Sequence, residues 1–259
     1  MSLIEITEPH PGVRQWLFNR PDKLNALSGP MLAELDRAID AAEADAAARV
    51  VVLCGAGGKA FVAGADIAEY RGDRRAEFVA YQLEGRRLFD RIERLSKPTI
   101  CAIEGYALGG GFEIALCCDI IVCADNARLG LPEGRLGLCP GGGGTQRLTR
   151  AVGKYAASEV MLAGWQLDAH RAHALGIVAE IATPEALGEL ALARSRACLK
   201  VAPLAQAQMK RLIREGADAP IETAKSLEQE TLFRLYGTRD GREGIAAFLD
   251  KRQPVFEGA

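Results

Sequence analysis

Two carboxylates stand alone in apolar surroundings, one beside a run of glycines and one in a Gly/Pro-rich loop. Glu113 lies in "GYALGGGFEIALCCDI" (105–120), one turn past a glycine triplet, with no other charge before Asp119. Glu133 lies in "LGLPEGRLGLCPGGGGTQRL" (129–148), after a proline and between apolar segments. Carboxylates in such settings are uncommon unless they are paired or used. Around one water, two of them could move protons between that water and a substrate carbon. Alternatively, one is a helix-terminal charge, the other a loop charge, and they never meet.

The glycines pose their own question. Glycine costs about 1 kcal/mol relative to alanine in a helix interior, so three at a helix start impose a backbone requirement. A strand, a turn and small residues leading into a helix leave N–H groups unpaired at the positive end of the helix dipole. Negative charge developing on a substrate carbonyl oxygen could be held there. Tight helix–strand packing explains the same glycines, and both explanations stand.

Other chemistries fit less well. The segment 109–114 lacks the final glycine of GxGxxG, and "GAGGKAF" (55–61) lacks the first glycine and the hydroxyl residue of a Walker loop. No GxSxG elbow, SxxK or Cys–His motif supplies a nucleophile. His170 and His173 stand three apart without a third ligand nearby, as on a half-exposed helix face. "RGDRR" (71–75) and Arg86, Arg87, Arg91 and Arg94 read as solvated faces, not a nucleic-acid patch.

Strands and helices must position these groups. "VRQWLF" (13–18), "VVVLC" (50–54), "TICAI" (99–103) and "IIVCA" (120–124) read as strands. A helix is expected from an N-cap at Ser28 to about Ala46, with Leu32, Leu35, Ile39 and Ala42 as its apolar stripe. A second spans about 77–96, where Phe78, Tyr81, Leu88, Ile92 and Leu95 share a face, and a third starts at Gly110. This alternation implies an α/β core. Beyond about residue 150 the pattern is helical, interrupted as a strand only by "IVAEI" (177–181). Thr183-Pro184-Glu185 has the form of a helix start with a capping threonine.

The 259 residues are 49% hydrophobic and 25% charged with a net charge of −2, which suits a soluble globular chain and gives no basic field for a polyanion. The apolar stretch 99–124 contains Glu104, Glu113 and Asp119, so it reads as buried core and not a membrane span. Seven cysteines without a CxxC pair suit a reducing setting. The N-terminal "MSLIEITEPH" has no basic region or apolar core of a signal or transit peptide, so a cytoplasmic location is expected.

"NRPDKLNAL" (19–27), "AFVAGADI" (60–67), "KPTICAIEGYALGGGFEIALCCDI" (97–120), "LPEGRLGLCPGGGGTQRL" (131–148) and "EGIAAFLDKRQPVF" (243–256) occur in order. With them the chain resembles the enoyl-CoA hydratase/isomerase (crotonase) family from about residue 3 to 256. The resemblance implies an α/β spiral of repeated strand–strand–helix units over residues 1–195, with CoA and the active site, and a helical oligomerisation region over 196–259. It further implies an acyl-CoA thioester substrate, no metal or redox cofactor, no nucleic-acid or membrane partner, and a homotrimer or a hexamer made of two trimers.

By the same resemblance, the oxyanion donors are the N–H groups of Ala65 and Gly110. Family hydratases carry two glutamates twenty residues apart, matching Glu113 and Glu133, whereas many isomerases, hydrolases and dehalogenases replace one or both. The match favours reversible syn addition of water to a trans-2-enoyl-CoA, giving a 3-hydroxyacyl-CoA. Glu133 is then the protonated group that serves the α-carbon, and Glu113, favoured as an anion by its helix N-terminus, activates the water. Lys23, Leu24, Ala63, Gly64, Asp66, Ile67, Gly109, Phe248 and Lys251 match substrate-binding positions, the last two reaching a neighbouring subunit's ligand. Two departures stand out: Gly134 replaces a more common aliphatic residue, implying a looser Glu133 loop, and Cys101 replaces a small strand residue. The rival readings are an enoyl-CoA isomerase or specialised acyl-CoA dehydratase and, in another class, a non-catalytic acyl-CoA- or RNA-binding protein.

Overall fold

The computed structural model describes residues 2–70 and 74–259. Its strands are β1 (Ile4–His10), β2 (Val13–Phe18), β3 (Val50–Gly55), β4 (Ala60–Val62), β5 (Thr99–Ile103), β6 (Tyr106–Leu108), β7 (Ile120–Ala124), β8 (Arg128–Gly130), β9 (Leu167–Asp168) and β10 (Glu180–Ala182). The helices are α1 (Gly29–Ala44), α2 (Arg75–Arg94), α3 (Gly110–Cys117), α4 (Gly144–Leu162), α5 (Ala169–Ala174), α6 (Leu187–Leu199), α7 (Pro203–Gly216), α8 (Ile221–Tyr236) and α9 (Arg239–Leu249).

Two sheets form, in the orders β1-β2-β3-β5-β7-β10 and β4-β6-β8-β9. Each turn of the spiral gives one strand to each sheet, in the pairs β3 and β4, β5 and β6, β7 and β8. All pairings are parallel except β1 with β2 and β8 with β9.

Alternating side chains of the large sheet feed two cores. Val51 and Leu53 of β3 join Trp16, Phe18, Phe61, Phe112 and the inner faces of α1 and α2. Val50 and Val52 point the other way, onto Ile100, Ala102, Val122 and the α6 residues Leu187 and Ala191. Burial on both faces is why these strands read as unbroken apolar runs and not as alternations.

The expected strands at 13–18, 99–103 and 120–124 have those bounds, and the one at 50–54 gains Gly55. Ser28 caps α1, its hydroxyl accepting from the Met31 amide, and Leu32, Leu35, Ile39 and Ala42 are buried. Other expectations need correction. "IVAEI" pairs only from Glu180, because Ile177 and Val178 donate back to Ala172 and complete the turn after α5. Strand β9 also lies in the region expected to hold just one strand. Thr183 caps no helix amide; a short 3-10 turn (Pro184–Ala186) precedes α6.

The boundary expected after residue 195 falls inside α6, which packs on the large sheet. In "RGDRR", residues 71–73 lie outside the described residues, and Arg74 pairs with Glu77. Arg87 and Arg91 bind Asp36 and Asp40 of α1, so acidic partners neutralise this face. Among the described residues no helix is long and apolar enough to cross a membrane.

Candidate active site

Strands β4, β6 and β8 run parallel, so their carboxyl ends meet at one edge of the small sheet. Chain leaving the end of a parallel strand is where open α/β sheets place ligand-binding groups. Ala63, Gly64 and Ala65 follow β4, Gly109 and Gly110 follow β6, and Pro132 and Glu133 follow β8. All of them line one cavity of about 590 Å³. Its remaining wall is largely apolar, including Leu27, Ile67, Phe78, Tyr81 and Phe89.

The first two turns touch each other. Gly64 has φ +113° and Gly109 has φ +51°, both in the region that glycine tolerates. A β-carbon on Gly109 would lie 3.7 Å from the Gly64 α-carbon. The amides that follow them belong to Ala65 and Gly110, and no backbone hydrogen bond among the described residues uses either. Two free donors therefore open on the cavity, as an oxyanion site requires.

The glycine triplet answers both explanations at once. Gly109 supplies the turn and Gly110 the first amide of α3. Gly111 serves packing: a β-carbon there would stand 1.9 Å from the Val62 carbonyl oxygen.

Glu113 is only 4% exposed. Its Oε1 accepts hydrogen bonds from the Gly142 and Gly144 amides, each at 2.8 Å. These donors stand at the start of α4, whose own N-cap, Gly143, has no side chain to offer. The Glu113 carboxyl, which lies in the first turn of α3, thus takes its two amide donors from the start of α4. Burial still dominates and raises the Glu113 pKa, against the pull of the two amides and Arg147.

Glu133 opens a 3-10 turn (Glu133–Leu136) closed by Leu138 N–H donating to its carbonyl, so the Gly134 loop is a hydrogen-bonded turn. Its Oε2 is buried without a partner among the described residues. Burial, then repulsion from Glu113, pushes its pKa up to about 7. The Glu113 carboxyl is thereby held by two strap amides, while Glu133 has one oxygen without a donor and only its own backbone amide acting against the rise.

Of the remaining expected positions, Ala63, Gly64, Ile67 and Gly109 line the cavity, while Lys23, Leu24, Asp66, Phe248 and Lys251 are not among its lining residues. Asp66 instead pairs with Arg20 at 2.7 Å. Leu24 accepts from the Ala63 amide and fixes that turn. Phe248 is 82% exposed on α9, far from burial in its own chain. Cys101 is buried in β5 with no role in the cavity. The Gly142 and Gly144 amides escaped the sequence reading, although the run of four glycines before "TQRL" was the signal for them.

Residues 8–259 match the family described as Enoyl-CoA hydratase/isomerase. The chain is 40% identical over 236 residues to the short-chain-enoyl-CoA hydratase of Clostridium acetobutylicum, covering 91% of this chain and 90% of that protein. It is 38% identical over 239 residues to the crotonyl-CoA hydratase of Syntrophomonas wolfei, covering 92% of each. A solved structure of an enoyl-CoA hydratase from Bacillus anthracis superposes with a TM-score of 0.96 at 34% identity, covering 100% of both chains.

Proposed function

We infer the activity from one premise: the chain belongs to the enoyl-CoA hydratase/isomerase family. It is an enoyl-CoA hydratase, a hydro-lyase that adds water reversibly across a trans-2-enoyl-CoA to give the 3-hydroxyacyl-CoA. The observation that carries this reading is the pair Glu113 and Glu133 facing one cavity beside the unused Ala65 and Gly110 amides.

In the proposed mechanism, those amides bind the thioester oxygen and draw charge from the β-carbon. Glu113 takes a proton from the water as its oxygen bonds to the β-carbon. Glu133, protonated near neutral pH, gives its proton to the α-carbon from the same side. One water is consumed, and proton return from Glu113 to Glu133 resets the pair. Carbonyl polarisation and proton transfer are both within reach of amides and carboxyls, so we assign no metal or redox cofactor.

We also propose a homotrimer, or a pair of trimers, built on the C-terminal helices. Leu232, Phe233 and Tyr236 of α8 and Phe248 and Leu249 of α9 are exposed in the single chain, more apolar surface than solvated helices usually carry. In that assembly Phe248 and Lys251 reach a neighbour's CoA, with Lys23, Leu24 and Asp66 at the chain's own CoA. We place the protein in the cytoplasm, where its seven cysteines, all free, stay reduced.

The test is hydration of trans-2-enoyl-CoAs of graded length, followed by loss of the conjugated-thioester absorbance. Turnover is expected, with faster reaction of 2-enoyl than of 3-enoyl thioesters. Binding of CoA esters without turnover across the series would overturn the assignment.

A further inference from the structure

The run Gly141–Gly144 forms a strap over Glu113 and leaves little room for a β-carbon at any of its four positions. A β-carbon on Gly141 would lie 2.6 Å from Gln82 Oε1. On Gly142 it would lie 2.4 Å from the Phe89 ring and 2.9 Å from Glu113 Oε2. Gly143 has φ +100°, and its β-carbon would sit 2.3 Å from Arg147 Nη1. On Gly144 the β-carbon would be 3.0 Å from both Glu113 and Leu131. So close a fit needs something to hold the strap in place.

Arg147, one turn into α4, is that group. Its Nη1 donates to the Gly142 carbonyl at 2.7 Å. Its Nε and Nη2 form a fork on Glu93 at 2.9 and 2.8 Å, and Nη2 also reaches Asp90 at 2.8 Å. Glu93 and Asp90 belong to α2, which also supplies Phe89 to the cavity. The guanidinium is therefore bound on both sides, to α2 by two carboxylates and to the strap by one carbonyl. A planar fork bound in this way has little freedom left.

We propose that Arg147 is a positioning residue for the hydration reaction: through Gly142 it fixes the amide cradle of Glu113 and so decides that Glu113, not Glu133, serves as the base. Nothing in the strap touches Glu133 in the same way, and its Oε2 is left without a donor among the described residues. The proposal rests on the hydratase reading for its kinetics but not for its geometry.

The charged and titratable groups around Glu113 come from several elements. Glu133 and Tyr70 interact with it electrostatically, and Cys117 lies one turn along α3. Arg147 faces it from α4, with Asp90 and Glu93 behind the arginine. Arg147 is the one cation in this set. Removing it raises the proton affinity of Glu113, so the acidic limb of kcat/KM moves to higher pH. Removing a carboxylate behind it leaves more of the arginine's charge uncompensated, so the limb moves to lower pH.

The experiment compares Arg147→Met, Arg147→Lys and Glu93→Gln with the parent by pH-dependent kinetics. Misplacement of a catalytic group by about 1 Å can cost about 10²-fold in rate. We therefore expect Arg147→Met to lower kcat by about 10- to 100-fold with KM changed little, and to shift the acidic limb upward. Lysine, which keeps the charge and a donor for Gly142, restores most of both effects. Glu93→Gln shifts the limb downward.

A folded Arg147→Met enzyme with the parent's kcat and acidic limb would overturn the proposal. Should that variant fail to fold, an unmoved limb in Glu93→Gln does the same. Titration of the Glu113 carboxyl by carbon-13 NMR in the unliganded protein, assigned with Glu113→Gln, reads the same shifts without turnover. If the parent hydrates no enoyl thioester, the functional reading fails while this titration still decides the role of Arg147.

Discussion

Oε1 of Glu133 lies 3.1 Å from where a β-carbon on residue 109 would stand, so the turn glycine and the carboxyl beside it fit as a pair. The φ of +51° and ψ of −126° at Gly109 close this position to other residues as well. The carboxyl that we assign as the acid is thus held against the turn that presents the Gly110 amide. Loss of that carboxyl's proton should remove the chemistry and leave the turn.

Glu133→Gln keeps the shape of the side chain and cannot supply the acid. Hydration should slow by at least about 10²-fold, with acyl-CoA affinity within a few-fold of the parent. Steady-state rates with isothermal titration of a saturated acyl-CoA check this. A variant that keeps most of its rate would remove Glu133 from the mechanism.

The same substitution should stabilise the fold at higher pH. Burial raises the Glu133 pKa to about 7 from an ordinary 4.5, so the native state holds this proton more tightly than the unfolded chain does. Stability is then lost as pH rises between those values, and the penalty is full above the upper one. Glu133→Gln lacks it, and with allowance for partial exposure should gain about 1–2 kcal/mol at about pH 8 and almost nothing at about pH 4. Urea unfolding at both pH values measures the difference; equal gains would point to a cause other than the proton.

Activity should need one proton on the pair. The kcat/KM profile is expected to be bell-shaped, falling at high pH as Glu133 ionises near its pKa of about 7 and at low pH as Glu113 is protonated. An acyl chain that excludes water should push the basic limb of kcat to higher pH than that of kcat/KM. A profile flat through neutral pH would contradict the acid role.

Neighbouring glycines should behave in opposite ways. Alanine at 111 meets the Val62 carbonyl at 1.9 Å, a backbone atom that cannot yield, whereas alanine at 110 meets the tip of Leu27 at 3.1 Å. Gly111→Ala should cost at least about 3 kcal/mol of stability and Gly110→Ala less than about 1. Thermal or urea melts decide it, and similar losses at both sites would refute the separation of roles.

If α8 and α9 are buried between subunits as proposed, the assembly should depend on Phe233, which is exposed in the single chain. Sedimentation is expected to give three or six copies per particle, and Phe233→Glu to give smaller species. A parent that sediments as a monomer would remove the proposed assembly.

The central strands β3, β5 and β7 of the large sheet were legible because they are buried on both faces and read as apolar runs with turns at each end. The small sheet was not. Strands β4, β6 and β8 have three residues each, too short to show any period. Glu133 was found as an oddity, a lone carboxyl after a proline, and the resemblance paired it with Glu113, but its unpartnered oxygen and the walls of its cavity were not readable. The strap at 141–144 was visible as composition and invisible as function, since a glycine shows nothing of what lies beside it.

The order of residues along the chain determined which groups were on offer: two isolated carboxyls, glycines where backbone must come close, and helices with one apolar face. Those are local properties, set by side-chain type and by period. Only the tertiary structure decided which groups met, because parallel pairing of three short strands brings residues 65, 110 and 133 to one edge. It also decided their unequal chemistry. Solvent exclusion and donors from the start of another helix, not the sequence around each glutamate, give the two carboxyls unlike surroundings.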